Sequence, residues 1–318
     1  MSLGRAGNLS MSHMQKALIV GGTSFTGPYL AQELSRRGLK VIGTTHSNVA
    51  CGAGFDSSFC LDLNDSASIA EVLSKVQPDY VIHLAGISFV GHAHLDSFYK
   101  INTVGTENLL CGLEEAGLSS LKRVLVSSSA NVYGMPEGII KLPESLPPAP
   151  MNHYAISKLA MEFVAKKYMS KLPIVIARPF NYIGYGQKPE FVIPKIARAF
   201  AAERSQLELG ATDVERDFTD VRDTVRAYAD LLVAEGCDGE VFNVCTSVPH
   251  SLDDVIDLLQ ETAGYKIQIV TNPAFLRKHE IKRLCGANDK LTKFTGWKPQ
   301  ISFENSVVNI YESYRSAT

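Results

Sequence analysis

Tryptophan occurs once in the 318 residues, no two cysteines stand in a CxxC spacing, and no stretch of 18 apolar residues occurs. The last absence leaves no expected membrane span. The six cysteines, Cys51, Cys60, Cys111, Cys237, Cys245 and Cys285, match neither zinc-ligand spacing nor a disulfide framework. No metal is therefore expected, and a reducing, cytoplasmic compartment is the default. An excess of one charge is also missing. The 31 Lys plus Arg against 33 Asp plus Glu leave a net charge of −2, which gives no basic footprint for nucleic acid. Residues 1–14, MSLGRAGNLSMSHM, lack the apolar segment of a signal peptide and read as a flexible leader or remnant ahead of a start at Met14.

Apolar residues make up 45% of the chain and charged residues 20%, a balance that argues for a packed core over disorder. At this length about three quarters of the unfolded surface can be buried, enough for one large domain or two unequal ones. Short apolar runs at Lys16–Val20, Lys40–Thr45, Phe59–Asp62, Tyr80–Leu84, Arg123–Ser127 and Ile174–Ala177 alternate with helical patterns at Tyr29–Arg37, Ala67–Val76, Leu95–Ala116 and Met151–Met169. That alternation predicts an α/β fold with a parallel sheet and helices on both faces. β-Branched runs such as VLVSS and IVIAR fit strands covered on both sides. The rhythm changes after residue 180. Asn181–Glu190 reads as loop, Phe191–Ala202 as helix, and Thr224–Val233 with Val241–Cys245 as one more unit returning to the sheet. The expected division is a dinucleotide-binding domain over 15–182 plus about 221–248, and a smaller C-terminal α/β substrate domain over about 183–220 plus 249–318. His83, in an apolar strand, and Trp297 read as core residues, and Arg222 with Asp223 as an ion pair or cap.

Directly after the first strand stands Gly21-Gly22-Thr23-Ser24-Phe25-Thr26-Gly27, which opens a helix. Gly21 permits a tight turn, Gly27 permits close helix–strand packing, and the helix N-terminus can hold a pyrophosphate on backbone N–H groups. This is the dinucleotide loop of a Rossmann-type sheet. The second strand ends in Thr44-Thr45-His46-Ser47-Asn48, with no acid to grip the ribose 2′-hydroxyl of NAD. His46 and Ser47 can donate to a 2′-phosphate. NADP(H) is the preferred expectation and NAD(H) the alternative. Asp62 has two readings, acceptor for the adenine amino group or helix cap.

Tyr154 and Lys158 lie four apart in Tyr-Ala-Ile-Ser-Lys, on one face of a helix. A phenol has an ordinary pKa near 10, and a neighbouring ammonium favours its phenolate. Ser129 follows the strand Arg123–Ser127 at the carboxyl edge of the sheet and can bond a carbonyl oxygen. The set suits hydride transfer, with the nicotinamide handling hydride, Tyr154 the proton, Lys158 the field and the cofactor ribose, and Ser129 orientation.

The ordered set GGTSFTG, DYVIHLAG, NTVGT, VSSSANVYG, YAISK, RPFNYIGYGQ, FVIPKIARA, RDFTDVRD, FNVC and TGWKP resembles the extended short-chain dehydrogenase/reductase family acting on nucleotide sugars, from residue 15 to about 315. FVIPKIARA, VERDFTDVRD and LRKHE are most similar to its GDP-sugar members. The resemblance implies Ser129, Tyr154 and Lys158 as catalytic residues. It also implies cofactor contacts at Gly21, Thr23, Ser24, Phe25, Thr26, Gly27, His46, Ser47, Asp62, Leu63, Leu84, Ala85, Gly86, Asn102, Ser127, Tyr154 and Lys158. Substrate contacts are implied at Ser88, Ser129, Asn181, Val192, Lys195, Arg216, Arg277 and Glu280. A diphosphate demands Arg or Lys, which Arg216 and Arg277 supply. Lys195 has two readings, toward the nucleotide or toward solvent.

The implied reaction is reduction of the 4-keto group of GDP-4-keto-6-deoxy-D-mannose to GDP-D-rhamnose, a step toward lipopolysaccharide. A homodimer through a four-helix bundle is implied as well. The alternatives are an NAD-retaining nucleotide-sugar 4-epimerase, a GDP-mannose 4,6-dehydratase and a non-catalytic dinucleotide sensor. The family's dehydratases place an acid two residues after the Ser/Thr, where this chain has Asn131, an amide that cannot exchange the proton that elimination needs.

Overall fold

The computed structural model describes residues 14–47, 49–88, 94–136, 138–276 and 281–316. Six strands alternate with helices in its first part: β1 (Lys16–Val20), α1 (Gly27–Arg36), β2 (Lys40–Thr45), β3 (Ser57–Cys60), α2 (Ser66–Val76), β4 (Tyr80–His83), α3 (Leu95–Phe98), α4 (Gly105–Ala116), β5 (Arg123–Ser127), α5 (His153–Tyr168) and β6 (Ile174–Pro179). Shorter pieces follow: β7 (Asn181–Ile183), α6 (Val192–Ala201), β8 (Gln206–Leu209), β9 (Glu215–Asp220), α7 (Val221–Val233), β10 (Val241–Val244), β11 (Pro249–Ser251), α8 (Leu252–Ala263), β12 (Gln268–Thr271), β13 (Arg283–Leu284), α9 (Asp289–Thr295) and α10 (Phe303–Arg315).

The large sheet is parallel throughout, in the order β10-β6-β5-β4-β1-β2-β3. Its strands are apolar on both sides because helices cover both. Leu30 and Leu34 of α1 and Val225, Tyr228 and Leu232 of α7 fill one face. Ile69 and Leu73 of α2, Leu109 and Leu113 of α4, and Met161 and Ala165 of α5 fill the other. Each such side chain removed from water contributes about 1.5–3 kcal/mol before chain entropy is subtracted. The order reverses at β1/β4, so the carboxyl ends of these strands open a crevice beside the Gly-rich loop.

The later residues build a second layer. β9 is flanked by β11, β13 and β7, and β8 pairs with β12. Ile193, Phe200, Leu207, Phe218, Val255, Leu259 and Val307 form its core.

Three expectations change. Asn181–Ile183 is a strand rather than loop, since it pairs with Phe218–Asp220. Leu95–Ala116 is not one regular helix, because Tyr99–Val104 between α3 and α4 is a π turn. Arg222 does not pair with Asp223. It forks onto Asp220, the N-cap of α7, with both nitrogens at 2.8 Å, while Asp223 pairs with Arg226. Trp297 is core, with Nε1 donating to the Asp223 carbonyl at 3.0 Å.

Candidate active site

The Gly-rich turn joins β1 to α1. Gly21 has φ +92°, and a Cβ there would come within 2.7 Å of the Ala85 nitrogen. A Cβ on Gly27 would lie 2.1 Å from the Gly22 carbonyl oxygen. Both glycines are thus fixed by close approach of backbone. Ser24, which stands where a middle glycine would leave space, turns its hydroxyl back to accept from Gly27 N at 3.2 Å. Thr26 is the N-cap residue of α1, and its hydroxyl donates to Tyr182 Oη at 3.1 Å. Phe25 stacks parallel on the Tyr182 ring, and Thr23 is exposed. The N–H groups of Leu84 and Ala85 both donate to Val20 O, which draws the end of β4 against the turn.

His46 and Ser47 are exposed at the end of β2, and no carboxylate stands on Thr44–Ser47. The Thr45 hydroxyl is held by the backbone of Ser47. Asp62 does not cap α2, a role that falls to Asp65, whose side chain accepts from Ala67 N. Instead one Asp62 oxygen accepts from Asn64 N and Nδ2, bonds that hold its carboxyl below the usual range, with a smaller contribution from nearby His46. Leu63 is buried in the core. Asn102 is fully buried, and its amide bonds Ile87 N at 2.8 Å, Ile87 O and Ser157 Oγ, so it supports the loop after β4. Asn48 lies outside the described residues.

Ser129, Tyr154 and Lys158 come together at the carboxyl edge of the large sheet, all buried. Ser129 caps the 3-10 helix Ala130–Tyr133 and accepts from both Asn131 N and Asn131 Nδ2 at 3.2 Å. Its own proton is left for Tyr154, and the two side chains hydrogen-bond. The ring of Tyr154 packs at 6.1 Å against Phe98. Asn152 caps α5 through Ala155 N, which fixes the start of the helix that carries Tyr154 and Lys158.

Burial pushes the Tyr154 phenol up to about 12, against the downward pull of the Ser129 bond. The net lowering expected from a neighbouring ammonium is outweighed by this burial, and Tyr154 is a protonated phenol here. Burial also pulls the Lys158 ammonium down to about 8, opposed by Glu162. Lys158 Nζ donates to Ser127 O at 2.8 Å, and the Ser127 hydroxyl bonds Tyr228 Oη at 3.1 Å. A Cβ on Gly86 would sit 3.3 Å from that Nζ, so Lys158 reaches the mouth of the β4 loop.

His83 is a core residue, bonded through Nε2 to Thr106 Oγ1 at 2.8 Å. Burial and then Lys158 push its ring down to about 3. Because Thr106 gives its own proton to Asn102 O, Nε2 carries the His83 hydrogen.

A dinucleotide fits these residues: a glycine turn at a helix N-terminus, no acid at the end of β2, and a buried ammonium beside an exposed loop glycine. It would be held by residues 21–27 at its pyrophosphate and by Lys158 near its nicotinamide ribose.

The expected substrate residues are not all gathered here. Asn181 is exposed on β7, Val192 is the first residue of α6, and Ser88 is exposed after β4. Arg216, on β9, donates through Nη1 to Glu215 O. Lys195 turns to the Glu208 carbonyl at 2.7 Å, with its ammonium 4.2 Å from the Phe275 ring centre, on a shallow cavity also lined by Arg204 and Gln206. Arg277 and Glu280 lie outside the described residues.

Sequence reading missed the charges beneath the site. Glu162 is fully buried and Arg178 nearly so. They form a forked pair, Nε–Oε1 at 2.8 Å and Nη2–Oε2 at 2.7 Å, and Ser128 Oγ donates to Oε1 at 2.6 Å. The signal was an arginine inside a two-sided buried strand, which requires a partner.

The chain is 35% identical over 284 residues, 88% of its own length and 91% of the relative's, to GDP-6-deoxy-D-talose 4-dehydrogenase of Aggregatibacter actinomycetemcomitans. It is 38% identical over 265 residues, 80% and 86% of the two lengths, to GDP-6-deoxy-D-mannose reductase of Pseudomonas aeruginosa. The solved structure of RMD from Pseudomonas aeruginosa complexed with NADPH superposes with a TM-score of 0.83 at 33% identity, covering 96% of this chain and 99% of that one. A family model described as GDP-mannose 4,6 dehydratase matches residues 18–310, and the chain belongs to that family.

Proposed function

We propose that the protein reduces the 4-keto group of GDP-4-keto-6-deoxy-D-mannose to GDP-D-rhamnose with NADPH. The observation that carries the reading is the buried Ser129–Tyr154–Lys158 set, with Tyr154 held as a protonated phenol. A phenol that keeps its proton is an acid, the group that ketone reduction requires. NADPH, held by residues 21–27 and Lys158, would supply the hydride. Ser129, polarised by Asn131, orients the carbonyl oxygen, and Tyr154 Oη gives that oxygen its proton. The Lys158 ammonium then stabilises the phenolate left behind.

Similarity to the mannose reductase, and to RMD complexed with NADPH, supports the substrate and the cofactor. The absence of an acid on Thr44–Ser47 favours NADPH over NADH. Asn131 argues against dehydration in spite of the family's description, because its amide is committed to Ser129. The talose dehydrogenase relative supports a second reading that differs only in the face of C4 attacked.

In this reading the large sheet holds the dinucleotide. The later layer holds the nucleotide sugar, with Arg216, Asn181 and Val192 as nucleotide contacts and Ser88, from the loop after β4, as a hexose contact; roles for Arg277, Glu280 and Lys195 there rest on the resemblance alone. Two copies pair through α4 and α5, where Ile156 and Phe163 of α5, and Val104 at the end of the π turn that leads into α4, are exposed. Incubation with NADPH and the 4-keto sugar tests the reading: consumption of NADPH matched by a new 4-hydroxy GDP-sugar supports it, and no consumption refutes it. Among the described residues, no helix is long and apolar enough to cross a membrane.

A further inference from the structure

We propose that Glu162, braced by Arg178, is a positioning residue for this reaction: it holds Lys158 as an ammonium and fixes the strand end that carries Ser129. Glu162 stands one turn after Lys158 on α5, on the same face. Its carboxylate is fully buried, so its charge acts through little water. Oε1 takes the Ser128 hydroxyl, which pins the residue preceding Ser129 to the helix that carries Tyr154 and Lys158. Arg178 closes the other side. Its guanidinium lies 4.8 Å over the ring of Tyr133, and Tyr133 Oη donates to Asn243 on β10 at 2.8 Å. The 3-10 helix capped by Ser129 is therefore clamped at both ends.

Glu162 is the carboxylate opposing Lys158 from close range. Among the described residues, the other groups toward Lys158 are neutral: His83 on β4, Tyr154 on α5, Tyr228 through Ser127, and the amide of Asn102 in the π turn. Tyr133, from the 3-10 helix, is also a protonated phenol, pushed up to about 12 mainly by burial. Asp96 on α3, Tyr99 and Lys100 in the π turn, and Glu107, Cys111, Glu114 and Glu115 on α4 lie on the exposed or half-buried side of those helices. Glu107 and Glu114 are occupied by Lys167 and Lys171 farther along α5. Arg178 spends its charge on Glu162, which overcomes the cost of burial and holds the guanidinium above its ordinary value. A buried pair contributes little net stability, whereas breaking one is costly, so its presence here calls for a reason beyond stability.

The inference rests on the proposed reduction, and one of its two tests does not. Lysine labelled with 13C at Cε, with the Lys158 signal assigned through Lys158→Met, reports the Lys158 titration directly. In Glu162→Gln the midpoint should fall by about one pH unit or more. The alkaline limb of kcat should move to lower pH by the same amount. Because Glu162→Gln leaves Arg178 buried and unpaired, the double variant Glu162→Gln/Arg178→Met serves if the single one does not fold. It should shift in the same direction. An unmoved Lys158 midpoint in a folded variant, with or without lost activity, overturns the inference and leaves the pair a structural brace. Absence of ketone reduction by the wild-type protein overturns the proposed reaction instead, and the titration still decides the role of Glu162.

Discussion

Replacing Tyr154 with Phe removes one oxygen and nothing else. The ring is 7% exposed and packed on Phe98, so Phe keeps its contacts. The lost hydroxyl bonds Ser129, and a single such bond is worth about 0.5–1.5 kcal/mol of net stability. The variant should therefore fold, melt within a few degrees of wild type, and bind NADPH and GDP unchanged. Chemistry should fail. With the phenol held protonated by burial, it is the acid for the C4 oxygen, and a positioned acid is worth about 10²–10⁴-fold. At 1.36 kcal/mol per decade that is roughly 2.7–5.4 kcal/mol of barrier. The assay is single-turnover loss of NADPH absorbance with the 4-keto sugar, repeated with deuterated NADPH to establish that hydride transfer limits the rate. If Tyr154→Phe keeps more than about a tenth of wild-type kcat while that isotope effect is present, Tyr154 is not the acid.

Lys158→Met should lose kcat and weaken NADPH binding together, read by fluorescence quenching, and Ser129→Ala should cost less than either Tyr154→Phe or Lys158→Met. Wild-type kcat should fall as pH rises through about 8, where Lys158 gives up its charge; a flat profile to pH 10 would remove the ammonium from the mechanism. Gly27→Ala drives a Cβ to 2.1 Å from the Gly22 carbonyl and should lower Tm and NADPH affinity at once, with overpacking of about 1–3 kcal/mol or more. Thr45→Asp should move the NADPH/NADH ratio of kcat/KM toward NADH by about tenfold or more, through repulsion of the 2′-phosphate. Arg277→Ala should weaken GDP binding by about tenfold or more with NADPH affinity unchanged, as seen by calorimetry.

The large sheet was legible because its strands are buried on both faces and read as unbroken apolar runs, from ALIV in β1 to IVIAR in β6. The second layer was less so. β7, β11 and β13 have three, three and two residues and exist only because β9 offers them partners, so no local pattern announces them. The π turn was hidden for a related reason, since the chain stays helical through Tyr99–Val104 while the hydrogen bonds shift to partners five residues apart. At the site, Ser129, Tyr154 and Lys158 were readable from spacing and a strand end. Their protonation was not, because it depends on burial from elements distant in sequence. Asn102 shows the same limit: its bonds to Ile87 and Ser157, which hold the loop after β4, could not be read from its motif.

The central claim is a stereospecific reduction at C4. It is tested most directly by proton NMR of the product formed from GDP-4-keto-6-deoxy-D-mannose and NADPH. The account predicts GDP-D-rhamnose, recognised by the large coupling between axial H3 and H4, with one NADPH oxidised per sugar. GDP-6-deoxy-D-talose, with a small H3–H4 coupling, would contradict the assigned face. Unchanged 4-keto sugar and no NADPH consumption, together with interconversion of a 4-hydroxy GDP-sugar and its C4 epimer when that sugar is supplied instead, would contradict the reductase itself.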